Sequence, residues 1–184
     1  MLFLFLTIKE ICLFIKILLS IKLTEPLETK RLFIRQFTGK DYELLVSKLN
    51  DALPGEDYPL FSYFKERDVY CFLLQLREPP QIIGYIFLRA FEKEKEIECF
   101  YALFPRYTGN GYAIEALRKV FDYIFTNHKF MKILAYVEKG NTRGWRVAER
   151  SGMKYMGDIF HVEKNSKVMY FLINKRDYIN QNQN

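Results

Sequence analysis

The segment Arg106-Tyr107-Thr108-Gly109-Asn110-Gly111-Tyr112-Ala113 lies between a strand-like run, Ile97 to Phe104, and a helix-like run, Tyr112 to Phe125. Two glycines one residue apart let the backbone turn sharply and keep side chains away from a ligand. A helix that opens directly from such a loop points its first amides outward, with the positive end of its dipole behind them. The result is a seat for phosphate or pyrophosphate. The segment has no Lys-Ser/Thr pair of a nucleotide-hydrolysing loop and no G-x-G-x-x-G spacing of a dinucleotide fold. A glycine pair taken alone reads as an ordinary turn, so the surroundings must decide. Ala113, Ala116, Leu117, Val120, Phe121 and Ile124 share one helical stripe, with Glu115, Arg118, Lys119 and Asp122 opposite. A strand-like run, Met131 to Val137, follows. Asn141 to Met153 then reads as an Asn cap, a short helix and a Gly that stops it.

In this order the segments resemble the GNAT N-acetyltransferases. Arg106-x-x-Gly109-x-Gly111-x-Ala113 is similar to that family's acetyl-CoA signature, and Asn141 to Met153 to its later N-x-x-S/A…G-F/M segment. Leu27-Glu28-Thr29-Lys30-Arg31-Leu32 resembles the opening of the RimJ/RimL-type branch, which includes acetyltransferases of ribosomal-protein N-termini. The resemblance spans about residues 27 to 175. It implies acetyl-CoA as acetyl donor and a primary amine as acceptor: a ribosomal or other protein N-terminus, a polyamine, an aminoglycoside-like sugar or an amino acid. It implies no metal. The cofactor-binding residues it marks are Leu103, Phe104, Arg106, Thr108, Gly109, Asn110, Gly111, Tyr112, Ala113 and Asn141.

Before the loop, Arg31 to Phe37 reads as a strand, and Thr38-x-x-Asp41 caps a helix that runs to about Asn50. Leu53 to Asp57 reads as a loop and Tyr58 to Arg67 as a second, aromatic-rich helix. Val69 to Leu76 and Gln81 to Phe91 form a hairpin across Glu78-Pro79-Pro80. Glu92 to Lys95 turns into the strand Glu96 to Phe104. Lys154 to His161 and Lys167 to Ile173 close the sheet as a last hairpin. The order β-α-α-β-β-β-α-β-α-β-β predicts an α/β (α+β) domain with a mixed, mostly antiparallel sheet flanked by helices. The strands on either side of the glycine-loop helix run parallel, as a helical crossover requires. The resemblance adds that these two strands splay apart to admit the pantetheine arm of acetyl-CoA.

The domain occupies residues 25–179, and 180–184 reads as a polar, frayed tail. Residues 1–24 form an apolar extension broken by Lys9, Glu10 and Lys16. A spanning helix needs ~20 mostly uncharged residues, and a signal peptide places its charge first. The segment therefore reads as an amphipathic surface helix, as an element packed on the domain or on a partner subunit in a homodimer, or as residues upstream of the true start. Net charge is +6, of which the extension carries +2, and the rest is spread without a long basic run. That suits a polyanionic cofactor better than direct nucleic-acid binding. Cys12, Cys71 and Cys99 show no metal spacing or disulfide framework and fit a reducing cytoplasm.

The chemistry the resemblance implies is transfer of an acetyl group from a thioester to a neutral amine, which calls for a base. Glu98 is the candidate base because family members often carry a carboxylate on this strand, and Glu96 is the alternate. The competing reading makes Glu98 a solvated strand residue. The family's proton donor to the thiolate is a Tyr seven residues after the Asn, or in the RimJ/RimL pattern a Ser three residues after it. Here those positions hold Ala148 and Gly144, so the donor would be water, Tyr101 or Tyr155. Tyr101 is the catalytic candidate. The rival class is a GNAT-fold module that binds acyl-CoA without turning it over. Arg143, Arg146 and Arg150 read as a charged helix face and Trp145 as a packing residue.

Overall fold

The computed structural model describes residues 23–52, 69–91 and 93–182. The readings for residues 1–22, for the loop after Ala52 and for the helix Tyr58 to Arg67 lie outside them. One eight-stranded sheet carries the chain: β1 (Leu27–Glu28), β2 (Leu32–Gln36), β3 (Val69–Leu76), β4 (Gln81–Phe91), β5 (Glu96–Leu103), β6 (Lys132–Glu138), β7 (Lys154–His161) and β8 (Ser166–Asn174). Their spatial order is β1-β2-β3-β4-β5-β6-β8-β7. Every pairing is antiparallel except β5–β6. The helices are α1 (Tyr42–Ala52), α2 (Tyr112–Asn127), α3 (Thr142–Arg150) and α4 (Lys175–Asn182). The mixed sheet and its parallel pair are those the sequence predicts.

Strand β3 shows why the sheet sits between two layers. Tyr70, Phe72 and Leu74 point into one core, and Val69, Cys71 and Leu73 into the other. A period of two with both faces apolar requires cover on each side. The larger core receives α2 through Ala116, Leu117, Val120, Phe121 and Ile124 of the stripe read from the sequence, and through Phe125, which that stripe omits. The smaller core takes Leu45 of α1, with Phe37 and Phe104. A short 3-10 turn, Gly39–Asp41, leads into α1. The Asp41 carboxylate accepts from the Thr38 N–H at 2.9 Å and from both terminal nitrogens of Arg35 at 2.6 and 2.8 Å.

Two elements carry no periodic signal and appear only in the structure. Strand β1 is two residues long. Helix α4 is polar and reaches Asn182, three residues into the stretch read as tail from 180. It is held from outside: Tyr178 packs its ring 5.3 Å from that of Phe125 and donates to the Arg118 carbonyl at 3.1 Å. Asp177 pairs with Lys154 at 2.7 Å.

The pairing of β5 with β6 positions the site. It lasts for three residue pairs, Glu96↔Lys132, Ile97↔Ile133 and Glu98↔Leu134. Beyond them β5 continues on β4 to Leu103, and β6 continues on β8 to Glu138. The two strands therefore part, leaving a wedge between facing backbone edges. Gly84 brings β4 hard against β5 beside this wedge: a β-carbon there would lie 2.2 Å from the Ala102 carbonyl oxygen and 2.9 Å from the Leu103 α-carbon. Because the obstacle is backbone, a side chain cannot be absorbed by a rotamer change. We expect Gly84→Ala to cost about 1–3 kcal/mol in urea melts. Gly140→Ala, which meets nothing within 4 Å, should stay within about 0.5 kcal/mol of the parent.

Candidate active site

Two cavities open at the wedge. One, about 540 Å3, is bounded by Leu103, Thr108, Gly109, Gly111, Ala113 and Ile114 on one side and by Arg143, Arg146, Val147 and Arg150 of α3 on the other. The second, about 290 Å3, is lined by the aromatic rings of Tyr85, Phe87, Phe100 and Tyr136 together with Glu138 and Lys164. Tyr101, Ala102, Asn141 and Gly144 line both. They mark the place where the two cavities adjoin.

The glycine loop has the geometry its sequence demands. Gly109 and Gly111 hold φ of 84° and 78°, in the left-handed region where a β-carbon is strained. Gly111 is the residue from which α2 starts. The helix end with its unpaired amides thus faces the larger cavity. Opposite stand the three arginines of α3. Their spacing favours a charged solvent face, and all three are exposed; the docking of α3 also sets them along this cavity. The signal that could have found them was already present: three cations at i, i+3 and i+7 directly after the capping Asn.

The other residues marked by the sequence divide. Leu103, Thr108, Gly109, Gly111, Ala113 and Asn141 border the larger cavity. Phe104 turns into the smaller core instead, and its N–H donates to the Ile83 carbonyl at 2.8 Å. Arg106 is exposed, with its guanidinium 4.8 Å from the centre of the Tyr107 ring. Asn110 donates to the carbonyls of Tyr107 and Thr108, which tightens the loop from within. Tyr112 lies beneath Arg31, whose guanidinium is 4.4 Å from the ring centre. Asn141 caps α3, accepting from the Gly144 N–H at 2.8 Å.

Tyr101 is the hydroxyl at the junction. It reaches across the wedge from β5 and donates to the Gly144 carbonyl at 2.7 Å. Burial raises its pKa well above that of an ordinary phenol, so it keeps its proton throughout the neutral range. Tyr155, the other hydroxyl considered, lies half-exposed on β7 and donates to Asp158 at 2.7 Å. Neither position that carries the family's hydroxyl points a free side chain at the junction. Ala148 is fully buried in the larger core. A β-carbon on Gly144 would come within 2.7–2.9 Å of the Asn141 side chain.

Glu98 is not the solvated residue that its neighbour Glu96 suggests. It is wholly buried, cross-strand from Arg89, and its Oε2 accepts from Arg89 at 2.5 and 2.9 Å. Its Oε1 has no hydrogen-bond partner and lies 3.9 Å from His161 Nε2. His161 Nδ1 accepts from the Lys164 N–H at 3.3 Å, which leaves Nε2 to carry the ring proton. The imidazole also stands edge-on to Tyr136, 4.7 Å between centres. Burial raises the Glu98 pKa against the opposing pull of Arg89. Glu96 is half-buried and pairs with Lys132 at 2.8 Å. No cluster of metal-ligating side chains occurs among the described residues.

Comparison with known proteins agrees with this geometry. The acetyltransferase (GNAT) domain family matches residues 31–154. The uncharacterized N-acetyltransferase YnaD of Bacillus subtilis is 28% identical over 141 residues, covering 70% of this chain and 82% of that protein. Among solved structures, an acetyltransferase (GNAT family) from Bacillus anthracis superposes with a TM-score of 0.66 at 24% identity, over 82% of this chain and 99% of the other. The spermidine/spermine N-acetyltransferase SpeG of Vibrio cholerae does so with a TM-score of 0.68 at 17% identity, over 84% and 99%. A sheet that parts beside a glycine loop, in a chain matched along most of its length, has one reading: this protein belongs to the GNAT acetyltransferase family and is an acyltransferase, of a family that uses acetyl-CoA.

Proposed function

We propose that the protein is an N-acetyltransferase of the RimJ/RimL-type branch that moves an acetyl group from acetyl-CoA to a primary amine entering through the aromatic cavity. The observation that carries this reading is the junction at Tyr101, where a cavity suited to CoA meets a smaller one suited to an acceptor. Pyrophosphate sits on the amides at Gly111 to Ala113, at the positive end of α2. Arg143, Arg146 and Arg150 supply cationic partners for the remaining phosphate. The pantetheine arm lies in the wedge, where its amides pair with the backbone edge of β5 that β6 has left. Among the described residues, the acceptor cavity offers one carboxylate, Glu138, and one ammonium, Lys164. That balance supports an amine carried beside polar or acidic groups, such as a peptide N-terminus, over a polycation.

The amine attacks the thioester carbonyl, and the acetyl–sulfur bond breaks as the new amide forms. Tyr101 serves as the hydrogen-bond donor to the departing thiolate by swinging its single O–H from the Gly144 carbonyl to the sulfur. Its hydroxyl lies beside α3 at Gly144, where the family pattern places a Ser, so the strand provides what the helix lacks. Glu98 takes the amine's proton through an intervening water, since its carboxylate is buried beside His161 and Arg89 and does not line the acceptor cavity.

A panel of N-terminal peptides, amino acids, aminoglycosides and spermidine, followed by thiol release from acetyl-CoA, tests the acceptor assignment. Turnover is expected with peptides, and a preference for spermidine would refute the charge argument. Acetyl-CoA at a hundredfold excess over Kd should stabilise the parent by ~2.7 kcal/mol. Gly111→Asp, which puts a carboxylate at the phosphate seat, should lose that shift.

Tyr101→Phe should lower kcat by about 10²-fold with the KM for acetyl-CoA unchanged. Restoring a hydroxyl on the helix should not help. Gly144→Ser pushes Asn141 off its cap at a cost of about 1 kcal/mol, and Ala148→Tyr overpacks the core by about 1–3 kcal/mol or more. An increase in kcat in either of these variants would show that the helix position remains usable.

Glu98→Gln separates base from scaffold. A base works when ionised, so activity should rise as pH climbs through the raised Glu98 pKa. The variant should lose that acid limb along with about 10²-fold in kcat. A lower melting temperature with an unchanged pH profile would leave Glu98 only the task of neutralising Arg89.

A further inference from the structure

The opening Leu27-Glu28-Thr29-Lys30-Arg31-Leu32 is far from the glycine loop in sequence, yet it grips that loop from behind. Thr29 and Arg31 stand in the turn from β1 to β2, closed by the Thr29 N–H to the Leu32 carbonyl at 2.9 Å. Both converge on Glu115, in the first turn of α2. Glu115 Oε1 accepts from Thr29 Oγ1 at 2.6 Å and from the Arg31 N–H at 3.0 Å. Its Oε2 accepts from Arg31 Nε at 2.7 Å and Nη2 at 2.6 Å. The same guanidinium then reaches past the helix end: Nη1 donates to the Asn110 carbonyl at 2.9 Å, between the two glycines. Its plane covers Tyr112, and Nη2 would be only 3.6 Å from a β-carbon at Gly111. Arg31 thus touches residues 110, 112 and 115 and passes beside 111, but it is not among the residues lining the larger cavity.

Two physical consequences follow. Two glycines at positive φ have wide freedom in an unrestrained loop. A donor fixed on the Asn110 carbonyl turns that oxygen away from the anion seat and keeps the neighbouring N–H groups directed into it. Glu115 is also a carboxylate one turn from the place where a pyrophosphate would sit. Burial disfavours its charge, but the bonds from Thr29 and Arg31 outweigh burial and hold its pKa below the usual range, so it is ionised at neutral pH. Arg31 cancels that charge where it would repel the ligand.

We propose that Arg31 is the positioning residue of the glycine loop: through Asn110 and Glu115 it sets the amides that receive the donor's pyrophosphate, without touching the donor. The proposal rests on the reading of the loop as the pyrophosphate seat. It makes the sequence motif at the start of the domain part of cofactor affinity, and not only of the sheet edge.

The test compares two acetyl donors, acetyl-CoA and S-acetylpantetheine, which lacks the pyrophosphate. Arg31→Ala should raise Kd and KM for acetyl-CoA about tenfold or more, leave the amine KM unchanged and leave kcat/KM for S-acetylpantetheine at the parent value. Arg31→Lys keeps the charge but cannot bond Glu115 through two nitrogens while also reaching Asn110. It should restore the melting temperature and recover only part of the acetyl-CoA affinity. Equal losses with both donors would show a merely structural role, and unchanged affinity for acetyl-CoA in a folded variant would overturn the proposal. Should Arg31→Ala fail to fold, Arg31→Lys carries the same comparison. Gly111→Asp runs alongside. If it leaves acetyl-CoA binding intact, the seat itself is misplaced and the proposal falls with it. If it abolishes binding while the Arg31 variants bind acetyl-CoA as tightly as the parent, the role given to Arg31 alone is wrong.

Discussion

The parting of β5 from β6 is the constraint on which the rest of the architecture depends. Strands at the centre of a sheet ordinarily satisfy each other's N–H and C=O groups along their length, because an unpaired buried backbone group is costly. Here the partnership ends after Glu98 and Leu134, although both strands run on for several residues. Each is stabilised from its far side, β5 by β4 through Leu103 and β6 by β8 through Glu138. The two halves of the sheet are thus self-sufficient, and the wedge between them can stay open. A wedge with backbone donors and acceptors on one wall, and a helix N-terminus at one end, is a place for an extended, amide-bearing chain that ends in phosphate.

The vertex of the wedge is pinned by charge. Glu98 is the last paired residue of β5 on its β6 side, and it is bound cross-strand to Arg89, which also reaches Glu163 in the β7–β8 turn at 3.0–3.1 Å. Strands β4 and β5 and the β7–β8 turn therefore meet at one buried guanidinium. Taking such charges out of water costs several kcal/mol per ion, and removal of one partner of a buried pair typically costs about 3–5 kcal/mol. A pair at this location is a poor way to gain stability and a good way to fix where two strands separate. The unpartnered Glu98 Oε1, facing His161, leaves that carboxylate with acceptor capacity that the ion pair does not use.

Most of the element order was legible because it is written in periodicity. The α2 stripe, the twofold alternation of the strands and the paired glycines each have one local solution. What escaped depends on tertiary placement. Arg143, Arg146 and Arg150 form an exposed stripe, as read, and only the docking of α3 shows that the stripe also borders a cavity. Helix α4 has no apolar stripe and exists because Tyr178 and Asp177 find partners on other elements. Glu98, the candidate base, had a solvated strand residue as its competing reading because a charge within a strand usually is one. Its partner sits nine residues away on the neighbouring strand, a relation fixed by register and invisible to composition. The link from Arg31 to Asn110 is longer still, across 79 residues.

The absent hydroxyl on α3 and the tyrosine on β5 become one fact when seen together. Gly144 has no side chain to stand between the Tyr101 hydroxyl and the backbone of α3, and a β-carbon there would collide with the Asn that caps the helix. Ala148, one turn further, is small and wholly buried, so the helix packs closely against the strands. Small residues on the helix therefore admit a long residue from the strand. On the proposed mechanism, a proton-bearing group is still delivered to the same junction, from the opposite wall. Burial keeps Tyr101 protonated, so on that proposal it meets the leaving sulfur as a neutral donor, and the pH dependence of turnover is left to the amine and to whatever accepts its proton.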